Sequence, residues 1–200
     1  MVDAGCNALL VVSPYYVKPS QEGLFQHFKA LAEAIAPMPI IIYNIPGRTS
    51  VTMSPETMTR LAKSFSNIIG VKQSLTDMDV VSEIRQLCPP EFIIWSGDDS
   101  MTLPMMSLGA KGVISVASHL FGTEMLSMIE AFSTGEIQKA QEIHHSLFPK
   151  FRALFTHPNP MDVKACLHEL GMIGPALRLP LVSVNAEEKA LLTPLFESLK

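Results

Sequence analysis

The chain has 200 residues, 48% hydrophobic and 17% charged, with a formal net charge of −4. That length is one domain or a large piece of one, and it suffices to bury a core. The absence of a basic run argues against nucleic-acid binding, and no apolar run reaches the roughly 18 residues of a membrane span.

The first residues also lack the basic start and long apolar core of a secretory signal. Three cysteines (Cys6, Cys88, Cys166) are odd in number and widely spaced, without a Cys-x-x-Cys pair. They argue against a disulfide framework or a zinc site, fit a reducing cytosol, and each reads as a small buried hydrophobe. Twelve methionines read as adaptable core and interface filler. Six histidines include His144-His145 but no zinc-ligand array, so no metal is expected.

In chain order, Met1–Asn7 reads as the last turn and exit of a helix, with Gly5 as its stop. Residues 8–12 (Ala-Leu-Leu-Val-Val) form a buried strand that breaks at Ser13-Pro14-Tyr15-Tyr16. A helix opens at Ser20 and places Leu24, Phe25, Phe28, Leu31, Ala32 and Ile35 at helical spacing. Residues 40–43 are the second strand and run into the loop Asn44-Ile-Pro-Gly-Arg-Thr-Ser50. Ser54-Pro55-Glu56 starts the next helix: a capping serine, then proline at the first helical position.

The third strand, residues 68–72, is Ile-Ile-Gly-Val-Lys, and the rest of the chain is organised around it. An ammonium at the end of an apolar strand has two readings. It snorkels to water, or burial disfavours its charge and yields the neutral amine used in Schiff-base chemistry with carbonyl substrates. A helix over 77–87 follows, then a strand over 92–95 ending in Ser96-Gly-Asp-Asp99, whose acids read as helix caps. A short helix spans 100–108, and a fifth strand spans 112–116. Residues 123–133, 136–155, 160–170 and 186–199 read as helices with no strand between them.

Strict alternation with near-continuous apolar strands predicts a parallel sheet. No glycine-rich phosphate loop follows a strand, and Tyr16, Tyr43, Lys72, Asp98 and Ser115 cluster at strand C-terminal ends. Both features favour the (β/α)8 TIM barrel over an open doubly wound sheet, because barrel strand ends converge on one mouth. Five βα units fall short of eight. The expected fold is therefore a partial α/β barrel over residues 1–122, truncated at its N-terminus, followed by an all-helical extension over 123–200.

Several stretches in order carry a resemblance: Val11-Val-Ser-Pro-Tyr-Tyr16, Ser20-Gln-Glu-Gly23 with Gln26-His-Phe28, Tyr43-Asn-Ile-Pro-Gly-Arg-Thr49, Gly70-Val-Lys72, Ser96-Gly-Asp-Asp99, Gly112-Val-Ile-Ser-Val116 and Pro158-Asn-Pro160. The chain resembles the pyruvate-dependent class I aldolase/lyase superfamily, and within it the dihydrodipicolinate synthases of lysine and diaminopimelate biosynthesis. That resemblance implies a cytoplasmic lyase condensing pyruvate with aspartate semialdehyde, without cofactor or metal. Lys72 would form the imine with pyruvate, and Tyr43 would relay protons. Tyr16 would join the relay across a tight dimer contact. Arg48 would bind the second substrate's carboxylate, and Ile114 would contact pyruvate partly through its backbone. The implied assembly is a homo-oligomer, dimer or tetramer; a complementing N-terminal chain is the alternative partner.

Two departures stand out. An acidic residue usually follows the family's lysine, and here it is Gln73. Nothing matches the family's Gly-Thr-Thr-Gly-Glu stretch, and of its lysine feedback site only Tyr15 has a counterpart. Another pyruvate aldolase, or an inactive binding or assembly module, is therefore kept beside the synthase reading.

Overall fold

The computed structural model describes residues 5–197 and Leu199. The helix exit expected over Met1–Asn7 lies partly outside them, and Gly5 sits at a left-handed φ of +77°, as a helix stop requires. The chain packs as two compact units, Met1–Ile114 and Ser115–Lys200.

The first unit is a four-stranded parallel sheet in the order β1-β2-β3-β4. The strands are β1 (Leu9–Val12), β2 (Ile40–Asn44), β3 (Ile68–Gln73) and β4 (Ile93–Ser96). Helices α1 (Gln21–Ile35), α3 (Pro55–Ser64) and α4 (Met78–Leu87) are the crossovers that parallel strands need. Each starts on the side chain that the sequence offers. Ser20 Oγ accepts from the Gly23 N–H, Ser54 Oγ from Thr57, and an Asp77 carboxylate oxygen from Asp79.

Successive strand residues point to opposite faces, and the two faces differ. Ile40, Ile42, Val71 and Ile94 are fully buried in one core with Leu24, Phe28, Met58, Leu61, Val81 and Ile84 of the helices. The other face carries Leu10, Val12, Ile41, Tyr43, Lys72, Ile93 and Trp95, and is only partly covered; Leu10 is 44% exposed. The strands are thus buried on one face, where the sequence suggests burial on both.

The expected fifth strand reduces to one bridge, Val113 with Ser96. Its segment still runs beside β4: Lys111 N–H donates to Ile94, Ser96 N–H to Gly112, and Ile114 N–H to Ser96. The loop after β2 contains an unexpected short helix, α2 (Pro46–Thr49). Asp98 caps the turn Asp99–Met101, as expected, and α5 (Thr102–Ser107) follows.

The second unit is helical: α6 (Ser118–Ser133), α7 (Ile137–Ala153), α8 (Met161–Glu169) and α9 (Ala186–Glu197). Helix α6 starts five residues before the expected 123 because two helical pieces merge across a kink at Phe121. Buried Asp162 holds the α7–α8 link, accepting the His157 N–H at 2.8 Å and meeting His157 Nδ1 at 2.7 Å. Glu188 lies 3.5 Å from the other ring nitrogen, and Lys189 pairs with Glu169 at 2.7 Å.

Candidate active site

One irregularity in the sheet decides where Lys72 sits. Ile40 pairs with Ile68, but the next residue, Ile41, pairs with Gly70. Ile69 is an extra residue in β3, a bulge of the kind that re-aims side chains. Beyond it, Tyr43 lies opposite Lys72, and Lys72 opposite Trp95. Lys72 is only 9% exposed, and its Nζ stands 4.3 Å from the centre of the Tyr43 ring. The amine therefore does not snorkel away; it rests on the aromatic face, the geometry of a cation–π contact.

Glycine at 97 makes room for this lysine. A Cβ there would fall 3.1 Å from both Cγ and Cε of Lys72 and 1.9 Å from Ser74 Oγ. The lysine stem and the Ser74 hydroxyl thus converge on the bare backbone of Gly97. Ser74 Oγ is sealed from solvent and has no hydrogen-bond partner among the described residues.

The next row of the sheet is polar and points the other way. Asn44, Gln73 and Ser96 are paired in register and fully buried. Asn44 Nδ2 donates to Gln73 Oε1 at 2.9 Å, and Asn44 Oδ1 accepts the Met53 N–H at 3.1 Å. These bonds tie the far end of the 45–53 loop to the strands. Within the loop, buried Thr49 donates to the carbonyls of Ile45 and Val51. Arg48 is presented from this pinned loop at the solvent-exposed turn of α2. Gln73 accepts from Asn44 through one oxygen, while its Nε2 is buried without a partner among the described residues.

The remaining expected residues are placed less centrally. Ile114 is half-buried and follows Val113, the bridge partner of Ser96, by one residue. Tyr16 is not brought to Lys72; it is 90% exposed with φ of +69°, beside Tyr15 and Val17 at 68% and 70%. His119 and His145 are exposed, and His144 is half-buried. Cys88 and Cys166 are buried, but Cys6 is exposed, because it lies in the polar turn before β1 rather than in an element. No three His, Cys, Asp or Glu side chains gather into a metal-binding group among the described residues, and none of their helices is long and apolar enough to cross a membrane.

Residues 1–198 match the model of the dihydrodipicolinate synthetase family. The chain belongs to that family. It is 52% identical over 196 residues to a 4-hydroxy-tetrahydrodipicolinate synthase of Listeria welshimeri, covering 98% of this chain and 66% of that protein. It is 49% identical over 184 residues to the enzyme of the same name from Desulforamulus reducens, covering 92% of this chain and 62% of the relative. Among solved structures, dihydrodipicolinate synthase from Aquifex aeolicus superimposes with a TM-score of 0.95 at 44% identity, over 99% of this chain and 67% of that one. The chain thus spans about two thirds of the length of the relatives it matches. Its α/β architecture with a parallel sheet is that of dihydrodipicolinate synthases of known structure.

For a dihydrodipicolinate synthetase family member, three features of this site escape a reading of the sequence. The bulge at Ile69 leaves no mark in an apolar run. The Asn44–Gln73 pair needs the strand register before the two amides can be matched. Ser74 could have been found from its spacing alone, since it stands two residues after Lys72 and so on the same strand face.

Proposed function

We propose that this chain carries the imine-forming part of a lyase that condenses pyruvate with L-aspartate 4-semialdehyde to 4-hydroxy-tetrahydrodipicolinate, the product in its relatives' name. The observation that carries this reading is the buried Lys72 amine over the Tyr43 ring, in adjacent strands. The amine lone pair adds to the ketone carbon of pyruvate, and the resulting carbinolamine loses water to give the imine. Loss of a methyl proton gives an enamine, whose carbon forms the new bond to the aldehyde. Tyr43, with its hydroxyl on the lysine's face of the sheet, is the proton relay for these steps. The Arg48 guanidinium binds the second substrate's carboxylate from its pinned loop. Ile114 borders the pyruvate-derived group.

The sheet is read here as consecutive βα units of a (β/α)8 barrel, with Lys72 on the inner face and the C-terminal helices as an extension. Exposed Leu10 and Val12 on β1 and exposed Tyr15, Tyr16 and Val17 after it favour a further covering surface. That surface is a second copy, in which Tyr16 reaches the neighbour's site, or a complementing chain. A monodisperse monomer in sedimentation velocity would remove both. The reaction needs no cofactor or metal, and the protein acts in the cytoplasm. Gln73 in place of an acid beside the lysine favours, as second reading, a module without turnover.

Trapping with borohydride separates these readings. The folded protein is incubated with pyruvate, reduced, and mapped by peptide mass spectrometry. An adduct confined to the Lys72 peptide and absent in Lys72→Ala is the expected result. A cooperatively folded protein without an adduct overturns the imine reading. Another pyruvate aldolase is indicated if Arg48→Ala leaves the KM for the semialdehyde unchanged.

A further inference from the structure

The Ser74 hydroxyl is a polar group without a task in the free protein. Its Oγ is closed to solvent and makes no hydrogen bond among the described residues. Leaving a buried hydroxyl unpaired is costly, and native proteins keep few such groups. Two backbone amides around it are, by contrast, engaged. Ser74 N–H donates to the Asn44 carbonyl at 2.9 Å, and Gly97 N–H donates to Gln73 at 2.7 Å. The ladder therefore continues through residue 74 and fixes the side chain's face.

That face is the one bearing Lys72, two residues earlier. Gly97 confirms the placement independently, since the same point above its Cα is approached by Ser74 Oγ and by the Cε of Lys72. The amine itself is drawn to the Tyr43 ring, 4.3 Å away. So an unpaired donor sits beside the stem of the reactive amine, and one rotation about its χ1 re-aims it. The partner has to arrive with whatever is bound to Lys72.

We infer that Ser74 is a substrate-positioning residue, whose hydroxyl donates a hydrogen bond to an oxygen of the 2-oxo acid held on Lys72. This rests on the imine reading above. The acceptor is the carboxylate of the adduct or the hydroxyl of the preceding carbinolamine; both present the same chemistry to a serine. Gln73, whose Nε2 also has no partner among the described residues, does not compete for this role, because it stands on the opposite, helix-packed face of the strand.

The test is pyruvate titration with borohydride trapping on the wild-type chain, Ser74→Ala and Ser74→Thr. Urea unfolding without pyruvate, followed through Trp95, is measured in parallel. Ser74→Ala is expected to raise the half-saturating pyruvate concentration about tenfold, the size of one hydrogen bond to a charged group. Its urea midpoint without pyruvate stays at or above that of the wild type, because no bond is lost. Ser74→Thr, which keeps the hydroxyl, restores most of the affinity. If Ser74→Ala traps pyruvate as well as the wild type, the Ser74 assignment falls and the imine reading stands. A Ser74→Ala protein with a lowered midpoint overturns it as well, since the hydroxyl was then bonded in the free protein. No adduct on the wild-type chain overturns both.

Discussion

Gly70→Ala is the sharpest probe of the frame that holds Lys72. A Cβ at Gly70 would lie 2.2 Å from the Ile93 carbonyl oxygen and 2.8 Å from Cζ3 of Trp95. Ordinary contact needs about 3.5 Å, so the neighbours must give by more than ~1 Å. The oxygen belongs to β4, whose residue Ile93 is paired with Gly70 itself. Backing it away stretches ladder hydrogen bonds out of range. Overpacking combined with strained backbone bonds costs about 2–4 kcal/mol. With a urea m-value of about 2 kcal/mol/M, the midpoint falls by roughly 1–2 M. Trp95 is the chain's one tryptophan and sits in β4 beside the substituted position, so its fluorescence reports this unit directly. Gly47 is the control. Nothing lies within 4 Å of a Cβ there, and its φ is not left-handed. Gly47→Ala is expected within about 0.5 kcal/mol of the wild type or above it. Equal midpoints for all three proteins would refute the close β3–β4 approach.

Other groups give expectations of their own. Burial pushes the Cys166 thiol up to about 11, with Asp162 adding to it, and burial raises Cys88 too. At pH 8 only about 0.1% of a thiol with such a pKa is thiolate, so native alkylation should mark exposed Cys6 and spare both others until the protein unfolds. Peptide mapping after iodoacetamide reads this directly, and equal labelling of Cys166 and Cys6 would contradict it. The His144 ring is held below its ordinary pKa, first by burial and then by the neighbouring His145. The unfolded chain therefore takes up the proton first, and stability is lost as pH falls through about 6.5 toward the lower folded value. Replacing His144 by leucine should flatten the change in urea midpoint between about pH 7.5 and 5.5; an unchanged slope would place the titrating group elsewhere.

Helix starts were legible because they are local. Ser20, Ser54 and Asp77 cap as their spacing says, whatever surrounds them. Four strands were legible as apolar runs between turn signals. The fifth was not, because Gly112-Val-Ile-Ser-Val116 has the composition of a strand, yet only Val113 bridges to Ser96. Site residues divide in the same way. Lys72 and Tyr43 stand at the ends of strands, and the parallel register brings them together. Tyr16 follows Pro14 out of β1 and ends on the surface, a position from which only a neighbouring copy's site is within its expected reach. Cys6 departs from its expected burial for a related reason: a residue type that favours interiors says nothing about a turn that has no interior to join.

The bulge at Ile69 ties local sequence to the site most tightly, and it can be removed. Were β3 to continue in step from the Ile40–Ile68 pair, Tyr43 would face Val71, and Lys72 would face Asn44. A slip of one residue moves every side chain to the other face. Lys72 would then enter the helix-packed core among Ile42, Met58 and Ile94, and Val71 would take its place opposite Tyr43. The bulge therefore does what no substitution along the strand does: it keeps Val71 in the core and the lysine on the open face at the same time. Deleting Ile69 leaves Ile68 and Gly70 in step with Ile40 and Ile41 and Lys72 still opposite Tyr43, so the deletion variant should keep the pyruvate adduct. Ile69→Val, which preserves the count of residues but trims the side chain, should keep it, since Ile69 is only half-buried and a lost methylene costs about 1 kcal/mol. The comparison needs both proteins to unfold cooperatively by Trp95 fluorescence. A cooperatively folded deletion variant without an adduct would mean that the bulge itself, and not the register beyond it, sets the lysine's face.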